Sequence, residues 1–279
     1  MQLRALPLAF ALVLDTPGQV STPGLAEQKA MIARMRDAAV NYADRLQDFL
    51  CTQLTTRSVD TSGSGKRWKV LETRELELGY VAHKEHYRLL KVNGKTTDME
   101  KRVKKGYFIP GGEFGSSLRK IFDPQAAAQF AWDHEQSIAG KRSCVFRYRV
   151  PVATTTMVIN ADADHVKMAH HGFVSADCDT GTVTRIQIET EPASVTRHGQ
   201  QVAIGMQLDV RYGPTMIASK EFLLPQQAVE IAPFGKTLTK AKIEFQQYRK
   251  YESNSSITFD GGTKPSPTIK PDEPRDVIK

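Results

Sequence analysis

Three cysteines in 279 residues, Cys51, Cys144 and Cys178, are too few for a disulfide scaffold, and their spacing is not that of a metal-ligand set. Their redox state stays open on this count: one bridge with one free thiol, or three buried thiols, both fit. After residue 14 no apolar run approaches the ~18 residues that a membrane-spanning helix needs. There is no G-x-S-x-G nucleophile elbow, no internal repeat and no low-complexity linker between Leu25 and Asp260. The excess of positive charge, +7, contains one dense run, Lys101-Arg102-Val103-Lys104-Lys105. No aromatic side chains interleave with it, so the stacking platform of a nucleic-acid binder is missing.

What is present begins with "MQLRALPLAFALVLDTPGQVST". One Arg is followed by ten apolar residues, Ala5 to Leu14, and then by a polar Pro/Gly segment, which is the layout of a secretory leader and predicts export to the periplasm or cell envelope. Residues 1–24 are therefore read as leader and flexible start, 25–260 as one domain, and the Pro- and charge-rich 261–279 as a disordered tail.

In "LAEQKAMIARMRDAAVNYADRLQDF", apolar residues at Leu25, Ile32, Met35, Ala39, Tyr42 and Leu46 draw one stripe on a long helix. The rest reads as strands. "RSCVFRYRV" alternates Cys144, Phe146, Tyr148 and Val150 with Ser143, Val145, Arg147 and Arg149. "QVAIGMQLDVRY" alternates Val202, Ile204, Met206, Leu208 and Val210 with Ala203, Gly205, Gln207, Asp209 and Arg211. Such alternation belongs to antiparallel sheet with one covered face. Further strands are expected at 49–57, 68–80, 86–92, 107–109, 130–138, 155–159, 172–176, 182–189, 217–224, 242–251 and 257–259. "GSSLRKIFDP" predicts a short helix capped by Ser116 or Ser117, and "DPQAAAQ" another helical turn with Asp123 at its cap.

Four stretches carry chemistry-bearing residues. "TSGSGK" (61–66) has Asp60 and Arg67 where a phosphate loop needs Gly and Ser or Thr, so it is a hairpin loop. "HKEH" (83–86) lacks the order of a zinc-protease helix, and on a strand its histidines face opposite ways. "NADADH" (160–165) spaces oxygen ligands like a calcium loop but has His165 and His171 at the positions that call for Gly and Glu. "AHHGFVSADCDTGTVTRIQI" (169–188) gathers His170, His171, Asp177, Cys178 and Asp179. Strand alternation scatters these side chains, and Cys178-Asp179-Thr180-Gly181 has turn chemistry, with Asp179 capping the turn and Gly181 closing it, so a hairpin is expected rather than a nucleophile or metal site. No metal or cofactor is predicted.

The order of elements resembles the periplasmic lipoprotein-carrier (LolA/LolB-like) superfamily: a leader, an amphipathic helix, and then a strand opening "FLCTQLTTR" (49–57). A short helical element at 115–122, the hairpin "GFVSADCDTGTVTRI", and the late "EFLLPQQAVEI" and "IEFQQYRKYE" segments look like those of exported bacterial proteins related to that superfamily. The resemblance implies an α+β, mainly antiparallel fold: an incomplete, curved β-barrel covered by a long N-terminal helix and a short lid helix. It also implies a non-enzymatic envelope protein whose concave face holds a lipid, a lipidated protein or another amphipathic ligand. Phe146, Tyr148, Val202, Ile204, Met206 and Leu208 are the groove candidates, and Lys101, Arg102, Lys104 and Lys105 are a basic rim for anionic head groups at a membrane surface. The alternatives are an envelope sensor or protein-interaction module with a filled core, and an enzyme using His170, His171 and Cys178.

Overall fold

The computed structural model describes residues 22–97, 113–138, 140–161, 164–197, 199–234 and 236–251. The leader through residue 21, the basic run 101–105, the strands expected at 107–109 and 257–259, and the 261–279 tail lie outside the described residues.

The chain opens with helix α1 (Leu25–Val40) and a single helical turn α2 (Tyr42–Arg45), followed by β1 (Phe49–Asp60), β2 (Lys69–Val81), β3 (Lys84–Val92) and β4 (Lys95–Thr96). Helix α3 (Ser116–Phe122) and a 3-10 turn (Pro124–Ala126) lead to β5 (Gln129–Ile138) and β6 (Lys141–Val150). The hairpin β7 (Val158–Ala161) and β8 (Asp164–Lys167) precedes β9 (His170–Asp177) and β10 (Val183–Thr190). A second hairpin, β11 (Ala193–Arg197) and β12 (Gln200–Ile204), precedes the long strands β13 (Gln207–Ile217), β14 (Lys220–Phe234) and β15 (Thr237–Lys250).

Eleven strands form one curved sheet in the order β4-β3-β2-β1-β15-β14-β13-β10-β9-β6-β5, and every pairing is antiparallel. The first long strand lies beside the last, with Gln53 opposite Phe245 and Thr55 opposite Ile243. Among the described residues β4 and β5 are the two edges, and the sheet is not closed into a barrel. This is the mainly antiparallel sheet expected from the alternating strands, with the half-barrel form that the family resemblance implied.

Period-two alternation puts Phe49, Cys51, Leu78, Tyr80, Phe146, Tyr148, Val174, Ile186, Ile188, Val210 and Ile243 in one buried core with both helices. The outer face carries the charges: Arg147 pairs with Asp133 at 3.0 Å, and Arg185 donates to Asp209 at 2.9 Å. The covering helix buries Met31, Met35 and Ala39, an i, i+4, i+8 row. That row shares Met35 and Ala39 with the stripe read from the sequence, whose first member, Leu25, is 77% exposed. The helix stops at Asn41, whose side chain donates to the Asp37 carbonyl, and Tyr42 and Leu46 follow in separate pieces.

Several sequence expectations are corrected. The run from Val202 to Val210 is two strands: the chain leaves the β11–β12 hairpin at Gly205, and the Met206 N–H bonds Thr190 Oγ1 at 2.8 Å before β13 joins the main sheet. The strand expected over 217–224 contains a hairpin turn, because Ala218 takes a left-handed φ of 54° and Ile217 pairs with Lys220. Thr155 lies in a turn closed on Pro151, and strand begins only at Val158. Gly115, not Ser116 or Ser117, stands at the N-cap of α3, with φ 124° and no side-chain cap bond. Asp123 caps the following turn as expected, its carboxylate accepting from the Gln125 N–H at 2.8 Å.

Candidate functional site

The segment from His170 to Thr190 is a β9–β10 hairpin. Asp177, one residue before the cysteine, organises its turn by accepting from the backbone of Asp179 and Thr180, and these bonds hold its carboxyl below the usual carboxylate range. Asp179, expected in that role, is exposed. Gly181 closes the turn at φ 73°, and a Cβ there would lie 2.6 Å from the Arg34 side chain, so this turn packs directly against α1.

The pleat separates the two histidines. His170 is fully buried, with Nδ1 3.3 Å from Thr155 Oγ1 and its ring edge-on to Tyr148; burial pushes its pKa down and favours the neutral ring. His171 faces outward, 3.9 Å from Glu189. Cys178 is no free nucleophile: it forms a disulfide with Cys144, Cα atoms 5.1 Å apart, while Cys51 is a buried free thiol. Glu135 has an oxygen near both sulfurs, but in the disulfide neither sulfur is the thiolate that binds a metal. His83 and His86 are exposed; His83 Nδ1 lies 3.2 Å from the Ala43 carbonyl. Of 160–165, residues 162 and 163 lie outside the described residues, and the flanking residues pair as β7 and β8.

The disulfide closes a separation of 34 residues and ties β6 to the end of β9. Replacing both cysteines with serine is expected to cost about 4 kcal/mol, the chain-entropy value for a loop of that size. Urea unfolding of the double variant against the oxidised parent measures it.

The remaining site is the concave face. All six groove candidates join its apolar cluster: Phe146 and Tyr148 from β6, Leu208 from β13 and Ile204 from β12 are buried, and Val202 and Met206 pack half-buried against them. Phe122 of α3 stacks on Phe130 at 5.5 Å, and Trp132 meets Phe146 edge-on at 5.3 Å. Over these strands the face is in contact with its cover.

That cover has an unusual lead-in. Glu113 and Phe114 precede α3. Phe114 inserts among Phe49, Tyr80, Phe245 and Tyr248, its ring 5.2 Å from Phe245 and 5.3 Å from Phe49. Gly115 then turns the chain tightly against α2; a Cβ there would lie 3.2 Å from that of Ala43. Glu113 is 2% exposed, and its Oε2 has no hydrogen-bond partner among the described residues. Burial, together with the charges of Glu85 and Glu230, pushes its carboxyl up to about 8 against some relief from Lys120. The surroundings are tyrosine-rich and internally bonded: Tyr212 donates to the Glu113 carbonyl, Tyr42 to the Leu223 carbonyl and Tyr87 to Glu85. Cys51 lies on this same face, its thiol pushed up chiefly by burial.

Sequence reasoning missed Glu113 and Phe114. The signal was available in "GGEFG", an acid and an aromatic set between glycines just ahead of a predicted helix.

The molecule is thus an open, curved antiparallel sheet with a two-helix cover on its concave side. It is similar in outline to three solved structures. A DUF1329 family protein from Desulfovibrio piger matches over 82% of this chain and 94% of its own, at 11% identity and TM-score 0.36. A LolA superfamily protein from Nitrosomonas europaea matches over 83% and 97%, at 7% identity and TM-score 0.33. A domain from Vibrio parahaemolyticus described as outer membrane lipoprotein-sorting matches over 83% and 95%, at 9% identity and TM-score 0.33. No family model and no curated protein sequence matches the chain.

Proposed function

We propose that the protein is a non-enzymatic component of the cell envelope that binds a lipid, a lipidated protein or another amphipathic molecule on the concave face, after the segment 113–122 moves aside. The observation that carries this reading is the cover itself. It inserts Phe114, Leu118, Ile121 and Phe122 into the apolar face, yet docking it buries the Glu113 carboxyl with one oxygen unpaired among the described residues. Burying an unsatisfied carboxyl costs free energy that sheet pairing does not, so this piece opens at lower cost than the strands beneath it. An acyl chain taking the place of those side chains would gain about 0.8 kcal/mol per buried methylene.

Export is supported by the leader-like start and by the Cys144–Cys178 disulfide, a bond that persists in oxidising compartments. A binding role rather than catalysis is supported by the β9–β10 hairpin, whose thiol is bonded and whose histidines face opposite ways. The basic run at 101–105 stays in the proposal, on charge alone, as the contact for anionic head groups. Organic extraction of protein purified from an exporting host, followed by mass spectrometry, tests the reading. The expected result is stoichiometric co-purified lipid, or uptake of a fluorescent acyl probe by the extracted protein; protein that carries no lipid and takes up no probe would contradict it.

A further inference from the structure

We propose that the end of the sheet formed by the β1–β2 and β14–β15 turns docks on the anionic surface of a lipid bilayer. The two turns touch, since a Cβ on Gly63 would lie 2.8 Å from the Lys236 carbonyl oxygen. Between Asp60 and Glu72 there is no acidic residue, whereas Lys66, Arg67 and Lys69 are present and exposed, with Lys236 and Lys240 alongside. The flanking acids are engaged. Asp60 is buried and its carboxylate accepts from the backbone of Ser62, Lys66 and Arg67 at 2.9–3.1 Å, which fixes the shape of the loop. Glu72 pairs with Arg57 and Arg74. Among the described residues the tip therefore exposes cations, while the acids beside them, Asp60 and Glu72, are buried or paired.

Apolar side chains stand exposed beside these cations. Val70 is 58% and Leu71 51% exposed at a bulge in β2, where Arg57 pairs with Glu72 and Ser58 with Val70, so two adjacent aliphatic side chains are uncovered at the hairpin end. Ser58 is paired with Val70 on one side and Lys240 on the other, and Lys240 Nζ sits 4.2 Å over the Trp68 ring. An acidic protein would engage the cations and leave these aliphatic side chains in water. A bilayer interface contacts both: aliphatic side chains enter the acyl boundary, Trp lies at head-group level, and Lys and Arg reach the phosphates.

The test is co-sedimentation of the full chain with phosphatidylcholine vesicles, with and without phosphatidylglycerol. The variants are Lys66→Glu/Arg67→Glu/Lys69→Glu and Val70→Asp/Leu71→Asp, with circular dichroism checking that each folds. Binding is expected to need the anionic lipid, to weaken with added salt, and to fall at least about tenfold in each variant. In a Trp132→Phe background, Trp68 fluorescence should shift to the blue on vesicle addition. Because the changed residues lie outside the apolar cluster of the concave face, co-purified lipid content should stay that of the parent, so failure here and failure of the ligand reading are separable. Equal vesicle binding by parent and variants overturns the proposal. Equally fatal would be polyglutamate binding as tight as vesicle binding and insensitive to the Val70 and Leu71 changes, which would assign the tip to an acidic protein.

Discussion

Glu113→Gln is expected to stabilise the protein, by an amount that grows from near zero at about pH 4.5 to a few kcal/mol at about pH 8 and then levels off. The sign follows from which state holds the proton. Folded Glu113 titrates near 8, against a usual 4.5, because burial and the neighbouring Glu85 and Glu230 disfavour its charge. Between those values the folded chain keeps a proton that the unfolded chain has released, so stability falls as pH rises through the window. The shift sets a ceiling of roughly 4–5 kcal/mol, at 1.36 kcal/mol per unit. Glutamine keeps the shape without the charge and removes that slope. Glu230, also raised chiefly by burial, and Lys120, lowered chiefly by burial, are common to both proteins. The difference between the two urea midpoint profiles from about pH 5 to about pH 9 therefore reports Glu113 together with its coupling to those two neighbours; parallel profiles would show that its carboxyl is not held away from water.

Phe114→Ala is expected to cost about 3–5 kcal/mol, the range for removing a buried aromatic and leaving a cavity. Phe114 is 2% exposed and meets the rings of Phe49, Tyr80, Phe245 and Tyr248. The loss falls on the cover and not on sheet pairing, so the variant should also take up a fluorescent acyl probe more readily than the parent under conditions where both remain folded. Denaturant unfolding and probe fluorescence measure the two effects. A loss below about 1 kcal/mol would mean that Phe114 is not the anchor of the cover.

The architecture was legible because its cause is local. Alternation such as Cys144, Phe146, Tyr148 and Val150 records a sheet with one covered face wherever the strand sits in the chain. The β9–β10 hairpin was legible for the same reason, although its capping acid is Asp177 and not Asp179: both precede the glycine, and only the register of the turn selects between them. What local pattern does not record is which distant residues meet. Spacing left three cysteines with several pairings, and Cys144–Cys178 follows from β6 lying beside β9. The break at Gly205–Met206 is likewise set by a tertiary partner, Thr190, against a strand pattern that runs on unbroken. The role of Glu113 depends on the whole concave face closing over one carboxyl, for which its own sequence neighbours give no measure.

The account stands on the segment 113–122 opening to admit an amphipathic ligand, and the protein carries its own reporter for that motion. Cys51 is a free thiol, fully buried on the concave face in the same cluster as Phe114, and Cys144 is bonded to Cys178. The rate at which a thiol reagent labels Cys51 in native protein, compared with the rate of global unfolding and measured with and without a lysophospholipid, tests the opening directly. Labelling faster than global unfolding, suppressed by the lysophospholipid, is the predicted result. Labelling only at the rate of global unfolding, and unchanged by the lipid, would contradict it.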